Sequence, residues 1–136
     1  VEDDVFGVMS RWLASYGKRI SGEQLEAKFI PYMPIIDYLK ASYNRPRPHQ
    51  AAGYYGIPLY PQLETDTGTA AYPSSHTFAG LLFRHYCVMH HRDLVDDATK
   101  LVQDIKRTRE DGGVHYPSDG IFAAKVYQHL QQWIIL

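Results

Sequence analysis

YPSSHTFAGLLFRHYCVMHH, residues 72–91, runs from a proline and two serines into a long apolar stretch. Phe78, Leu81, Leu82, Tyr86 and Met89 recur at helical spacing on overlapping faces, which predicts a helix over 75–91. Its first turn holds Ser74, Ser75 and His76. A helix start exposes main-chain N–H groups that bind anions with or without chemistry. This stretch is therefore either an ordinary helix start or part of a site, and the rest of the chain has to decide.

Helical periods continue on both sides. In DVFGVMSRWLASY, residues 4–16, Val5, Val8, Met9, Trp12 and Leu13 form one face, and Gly17 is a plausible stop. Ser21 and Gln24 match a capping box ahead of Leu25, Phe29, Ile30 and Met33. Pro31 and Pro34 split or kink this second segment, and helical character resumes to about Ser42. Asp93 can cap a helix over 94–108, striped by Leu94, Val95, Ala98, Leu101, Val102 and Ile105. After a break at 110–113, a last helix begins near Pro117 and Ser118, with Ile121, Phe122, Val126, Leu130 and Ile134 as its stripe. No region alternates as a strand. The expected fold is all-α, a compact bundle of about five helices in a single domain over 1–136. Residues 43–73 are the exception, rich in Pro, Gly, Tyr and Thr and without a sustained period. A connection this long is often functional, and its tyrosines argue against disorder.

Bulk composition excludes several function classes. A chain of 136 residues buries a real core without staples. Its formal net charge is -1, so no global field attracts nucleic acid or an anionic membrane, and any anion site must be a local cluster. No stretch is long and apolar enough for a membrane span. Cys87, the only cysteine, excludes an internal disulfide and reads as a buried, inert thiol. The opening VEDDVFGVM lacks the features of a signal peptide, which favours the cytoplasm unless a leader was removed earlier.

Three clusters hold chemistry. In KASYNRPRP, residues 40–48, Lys40 ends a helix while Arg45 and Arg47 sit between prolines that fix the backbone. Ser74, Ser75 and His76 are the second cluster. RTREDGGVHYPSDG, residues 107–120, adds Arg109, His115 and Asp119. Arginine binds phosphate by paired bonds and lysine as a point charge, while helix N–H groups and a serine hydroxyl add donors. Two histidines can divide phosphoryl transfer, one attacking phosphorus and the other protonating the departing oxygen. Asp119, four residues beyond His115, can orient the attacking ring; the lesser alternative is that it simply caps the last helix.

With these residues in place, the chain resembles the type 2 phosphatidic acid phosphatase superfamily, which includes bacterial nonspecific acid phosphatases and vanadium haloperoxidases. The first family motif is Lys, six residues, Arg-Pro, matched by Lys40 and Arg47-Pro48. The second is Pro-Ser-Gly-His, matched by Pro73, Ser74, Ser75 and His76, with serine in place of glycine. The third is Ser-Arg, five residues, His, three residues, Asp, matched by Thr108, Arg109, His115 and Asp119, with threonine in place of serine. Arg45 also precedes a proline, but its spacing from Lys40 does not fit. The resemblance implies that Lys40, Arg47, Arg109, Ser74 and the Ser75 amide bind the phosphate. It implies His115 as nucleophile, His76 as general acid and then base, and Asp119 as orienter of His115. The implied fold is the helical core of that superfamily, with no cofactor and no metal.

Within the superfamily, the length and the lack of spans favour a small soluble phosphatase acting on phosphomonoesters, with lipid or isoprenyl phosphates and diphosphates open as substrates. A phosphate-binding relic without turnover and a vanadate-dependent haloperoxidase stay as alternatives. The expected partner is a small phosphorylated substrate, and the oligomeric state stays open. His49 lies in the loop beside the expected site. His85, His90, His91 and His129 fall in helical segments; the spacing of His85, Cys87 and His91 does not form a tight metal-ligand set. Trp133 and the tyrosine-rich loop are either interface or core.

Overall fold

The computed structural model describes residues 4–43, 74–111 and 116–136. Among them six α-helices and three short 3-10 turns make up the regular structure, and no strand occurs. The connection expected over 43–73 lies outside the described residues from position 44 onward.

Helix α1 spans Val5–Ser15 and starts where the Asp4 carboxylate accepts the Gly7 N–H at 3.0 Å. Val5, Met9 and Leu13 recur every four residues and are buried. The helix ends at Gly17, whose φ of 76° lies in the left-handed region that glycine adopts without strain. There the Gly17 N–H donates to the Ala14 carbonyl and the Lys18 N–H to the Leu13 carbonyl, both at 3.0 Å, which satisfies two carbonyls that the helix leaves over.

Helix α2, Gly22–Phe29, has the expected capping box: the Gln24 N–H donates to Ser21 Oγ, and the Ser21 N–H donates to Gln24 Oε1. Leu25 and Phe29 carry its buried face. Pro31 and Pro34 then divide the segment completely. A 3-10 turn, Ile30–Tyr32, separates α2 from α3, Pro34–Tyr43. Each proline lacks the N–H that a continuous helix needs, so six helices form among the described residues where about five were expected.

Helix α4, Ser75–His90, is the central element. It packs against α1, against α5 at Val95–Asp111, and against α6 at Pro117–Leu130. Phe78, Ala79, Leu82, Phe83, Tyr86 and Cys87 place it in the core. Met89, counted in its stripe, is exposed instead. Asp93 does not cap α5 either; it lies inside a 3-10 turn, Arg92–Leu94, and α5 begins at Val95.

The stripe of α6 also differs from the expected one. Gly120, Ala123, Val126 and Tyr127 face inward, whereas Ile121 is half exposed. Ile134 is buried but lies beyond the helix, which gives way to a 3-10 turn at Gln131–Trp133. Trp133 belongs to that turn and is largely exposed. No helix among the described residues is long and apolar enough to cross a membrane.

Candidate functional site

The second and third sequence clusters meet at the starts of α4 and α6. The Ser74 N–H donates to the Asp119 main-chain carbonyl at 3.1 Å. Ser74 is the N-cap of α4, and Asp119 lies in the first turn of α6. The two helices therefore begin next to one another. Such a pairing favours an anion more than one helix end does.

Each start is built by its own local bonds. Ser74 Oγ accepts the Thr77 N–H at 3.2 Å. A hydroxyl that accepts keeps its own proton to donate, so capping and contact with a phosphate oxygen are compatible roles. Ser74 is only 1% exposed, which puts that hydroxyl between the packed helices. At α6, Asp119 Oδ2 accepts the Tyr116 N–H at 2.7 Å, and the Asp119 N–H donates to the Tyr116 carbonyl at 3.0 Å. Asp119 is fully buried. It does cap the last helix; a carboxylate has lone pairs on two oxygens, so this does not preclude holding a histidine.

Ser75 and His76 follow in the first turn of α4 and are half-buried. Lys40 lies in the last turn of α3, one helical turn beyond the buried Ile36, and is itself 7% exposed. Lysine is seldom buried unless its charge has a task or a partner. Its place on an apolar stripe is the signal that sets it apart from the other lysines. Arg109 lies in the final turn of α5, with its side chain outside the described residues. Arg47 and His115 lie outside them altogether, as do Arg45 and His49. What is brought together is thus Ser74 with Asp119, with Ser75 and His76 in the turn that Ser74 starts.

The remaining histidines on α4 have other work. His85 Nε2 lies 3.1 Å from the Ile134 carbonyl, and Nδ1 lies 2.8 Å from the Tyr127 hydroxyl. A carbonyl only accepts, so Nε2 is the donor to Ile134, while Nδ1 pairs with the Tyr127 hydroxyl. His90 Nε2 donates to the Leu136 main-chain oxygen at 2.6 Å. The Tyr32 hydroxyl donates to the Ile135 carbonyl and accepts the Ile135 N–H, both at 2.9 Å. Three side chains thus hold residues 134–136. The sequence gives no local hint of this, because the partners are main-chain groups far along the chain.

Cys87 is buried, and burial, with a smaller contribution from the Asp93 charge, pushes its thiol up to about 11. Burial is the main cause holding the His91 ring below its usual value, and the Lys18 charge adds to it. Among the described residues, no three His, Cys, Asp or Glu side chains gather as a metal-ligand set.

One residue that the sequence reading passed over adjoins this region. The Lys106 side chain lies flat over Gly120: a β-carbon built on Gly120 would stand 2.7 Å from Lys106 Cε and 3.0 Å from Cδ. The glycine after Asp119 is the available signal, since it leaves room for that stem. No family model, curated protein or solved structure matches this chain.

Proposed function

We propose that the protein is a metal-independent phosphatase that hydrolyses phosphomonoesters through a phosphohistidine intermediate. The observation that carries this reading is the bond from the Ser74 N–H to the Asp119 carbonyl, which joins the second and third motifs at two adjacent helix starts. Paired N-termini favour a phosphate dianion. Lys40, Arg47 and Arg109 supply the cations, and Ser74 with the Ser75 amide supplies neutral donors.

The reaction balances in two steps. His115 attacks phosphorus as the ester P–O bond breaks, and His76 gives its proton to the leaving oxygen. His76 then takes a proton from water, whose oxygen attacks phosphorus as the P–N bond breaks. Phosphate leaves, and His115 is restored. Asp119 keeps the His115 ring in the required tautomer.

The test is rapid quenching with a labelled phosphomonoester. An acid-labile, base-stable label is expected on the wild type and absent from His115→Ala. Vanadate, which adopts the five-coordinate geometry of phosphoryl transfer, is expected to compete with substrate, and a chelator to leave turnover intact. Phosphate binding without turnover would overturn the reading in favour of a binding relic. Oxidation of halide that requires vanadate and peroxide, without ester hydrolysis, would replace it with a haloperoxidase.

A further inference from the structure

Among the described residues, α5 and α6 each pack on α4 and meet one another only sparsely. A groove enclosing about 310 Å³ lies between them, walled by Val102, Gln103 and Lys106 of α5 and by Gly120, Ile121 and Ala124 of α6. Lys106 reaches from one wall to the other at the end nearest the start of α6.

Three carbons of the Lys106 stem meet position 120. A β-carbon built on Gly120 would stand 2.7 Å from Cε and 3.0 Å from both Cδ and Cγ. Carbon atoms attract best at about 3.5–4.0 Å, so the stem fills the space that the β-carbon of any other residue would need. Glycine weakens a helix relative to alanine, and here its missing side chain forms the seat for the lysine.

The contact adjoins the candidate site. Gly120 follows Asp119, whose carbonyl accepts the Ser74 N–H. One turn before Lys106, Val102 is buried against α4, where a β-carbon built on Gly80 would stand 3.4 Å from Val102 Cγ1. One turn after Lys106, about 4.5 Å along the axis, comes position 109. Positions 102, 106 and 109 are spaced by four and three and share one side of α5. That side is thus seated on α4 at Val102 and on α6 at Lys106 before it reaches Arg109.

Resting on the phosphatase reading, in which Arg109 binds the phosphate, we propose that Lys106 is a positioning residue. Its aliphatic stem, seated on Gly120, is a strut that fixes the end of α5 against the start of α6 and so sets where Arg109 stands. The stem has this role, not the charge.

Lys106→Ala removes the stem, Gly120→Ala displaces it, and Lys106→Met keeps its length without the charge. In the first two, amide exchange at residues 107–109 is expected to quicken about tenfold. KM for phenyl phosphate should rise about fivefold in both, with kcat within about twofold of the wild type. Lys106→Met is expected to match the wild type in exchange and in KM. A variant that merely folds less well loses apparent kcat through its folded fraction and keeps its KM, so the split identifies positioning. Joined in one chain, Lys106→Ala and Gly120→Ala should do no more than either alone, because both break the same contact. Additive effects, or an equal loss in Lys106→Met, overturn the proposal.

Amide exchange separates this proposal from the phosphatase reading. Non-additive quickening at residues 107–109 supports the strut even if no phosphate ester is hydrolysed. Wild-type exchange in Lys106→Ala overturns it even if phenyl phosphate is turned over.

Discussion

At the Ser75 end of α4, a serine and a buried aspartate serve the starts of two adjacent helices. At the His90 end, two histidines of the same helix hold the main chain of residues 134–136. The chemical groups are similar, and the local fields are opposite. An N-terminus is positive and suits a phosphate, whereas a C-terminus is negative and suits a histidine as donor. A histidine on this helix is therefore defined by the end it occupies. At the far end both nitrogens of His85 are committed to a carbonyl and a tyrosine, and that commitment makes it structural.

The largest expected effect separates the ends by activity. His76→Ala should lower turnover by about a hundredfold or more, as for loss of a general acid. It should also slow decay of the phosphoenzyme, which single-turnover kinetics would resolve. His85→Ala should leave kcat per folded molecule unchanged. Equal losses of kcat in both variants would erase the proposed distinction.

Stability should divide the ends in a second way. Asp119→Ala removes the acceptor of the Tyr116 N–H and the cap of α6, so a cost of about 2 kcal/mol is expected in urea unfolding. Turnover should fall as well. His85→Ala leaves the Tyr127 hydroxyl and the Ile134 carbonyl without their ring partner and should cost about 1–2 kcal/mol. Its distinctive readout is faster amide exchange in residues 134–136 with α6 still protected. Exchange that rises equally throughout α6 would show that the far end is not a separate clamp.

Cys87 gives a smaller, pH-dependent test. Its thiol titrates near 9.0 when unfolded and at about 11 in the folded protein. Between these values the unfolded chain has lost the proton that the native chain keeps, so stability declines as pH rises from about 9 to about 11. Cys87→Ala should make that decline shallower. An unchanged slope would assign it to other groups, such as Tyr86 and Tyr127, whose hydroxyls burial also raises.

Local signals in the sequence were legible where one short stretch contains the whole cause. The Ser21–Gln24 box and the stop at Gly17 need only adjacent residues, and both occur as expected. The stripe of α6 was less legible. Ile121 borders the groove, whereas Gly120 and Tyr127 face inward, so packing against α4 sets the buried face rather than apolar character alone. For the site, the sequence assigned Ser74 to phosphate binding and Asp119 to orienting His115; the bond between their main chains is a contact it did not specify. It did not point to Lys106, because a lysine in an amphipathic helix looks like any solvated one until Gly120 is seen beneath it. Nor did it reveal the clamp formed by His85, His90 and Tyr32, whose partners are peptide groups that have no sequence signature.

The bond between Ser74 and Asp119 also constrains how the molecule would acquire the proposed activity. It closes a long loop of chain that contains all of α5, and closing such a loop costs entropy before any contact across it forms. A partly folded species with α6 undocked would retain most of the α4–α5 pairing and much of its helicity. It would have lost one of the two adjacent helix starts. Recovery of the proposed phosphatase turnover during refolding should therefore lag behind recovery of the far-ultraviolet helix signal, and the lag would time the docking of α6.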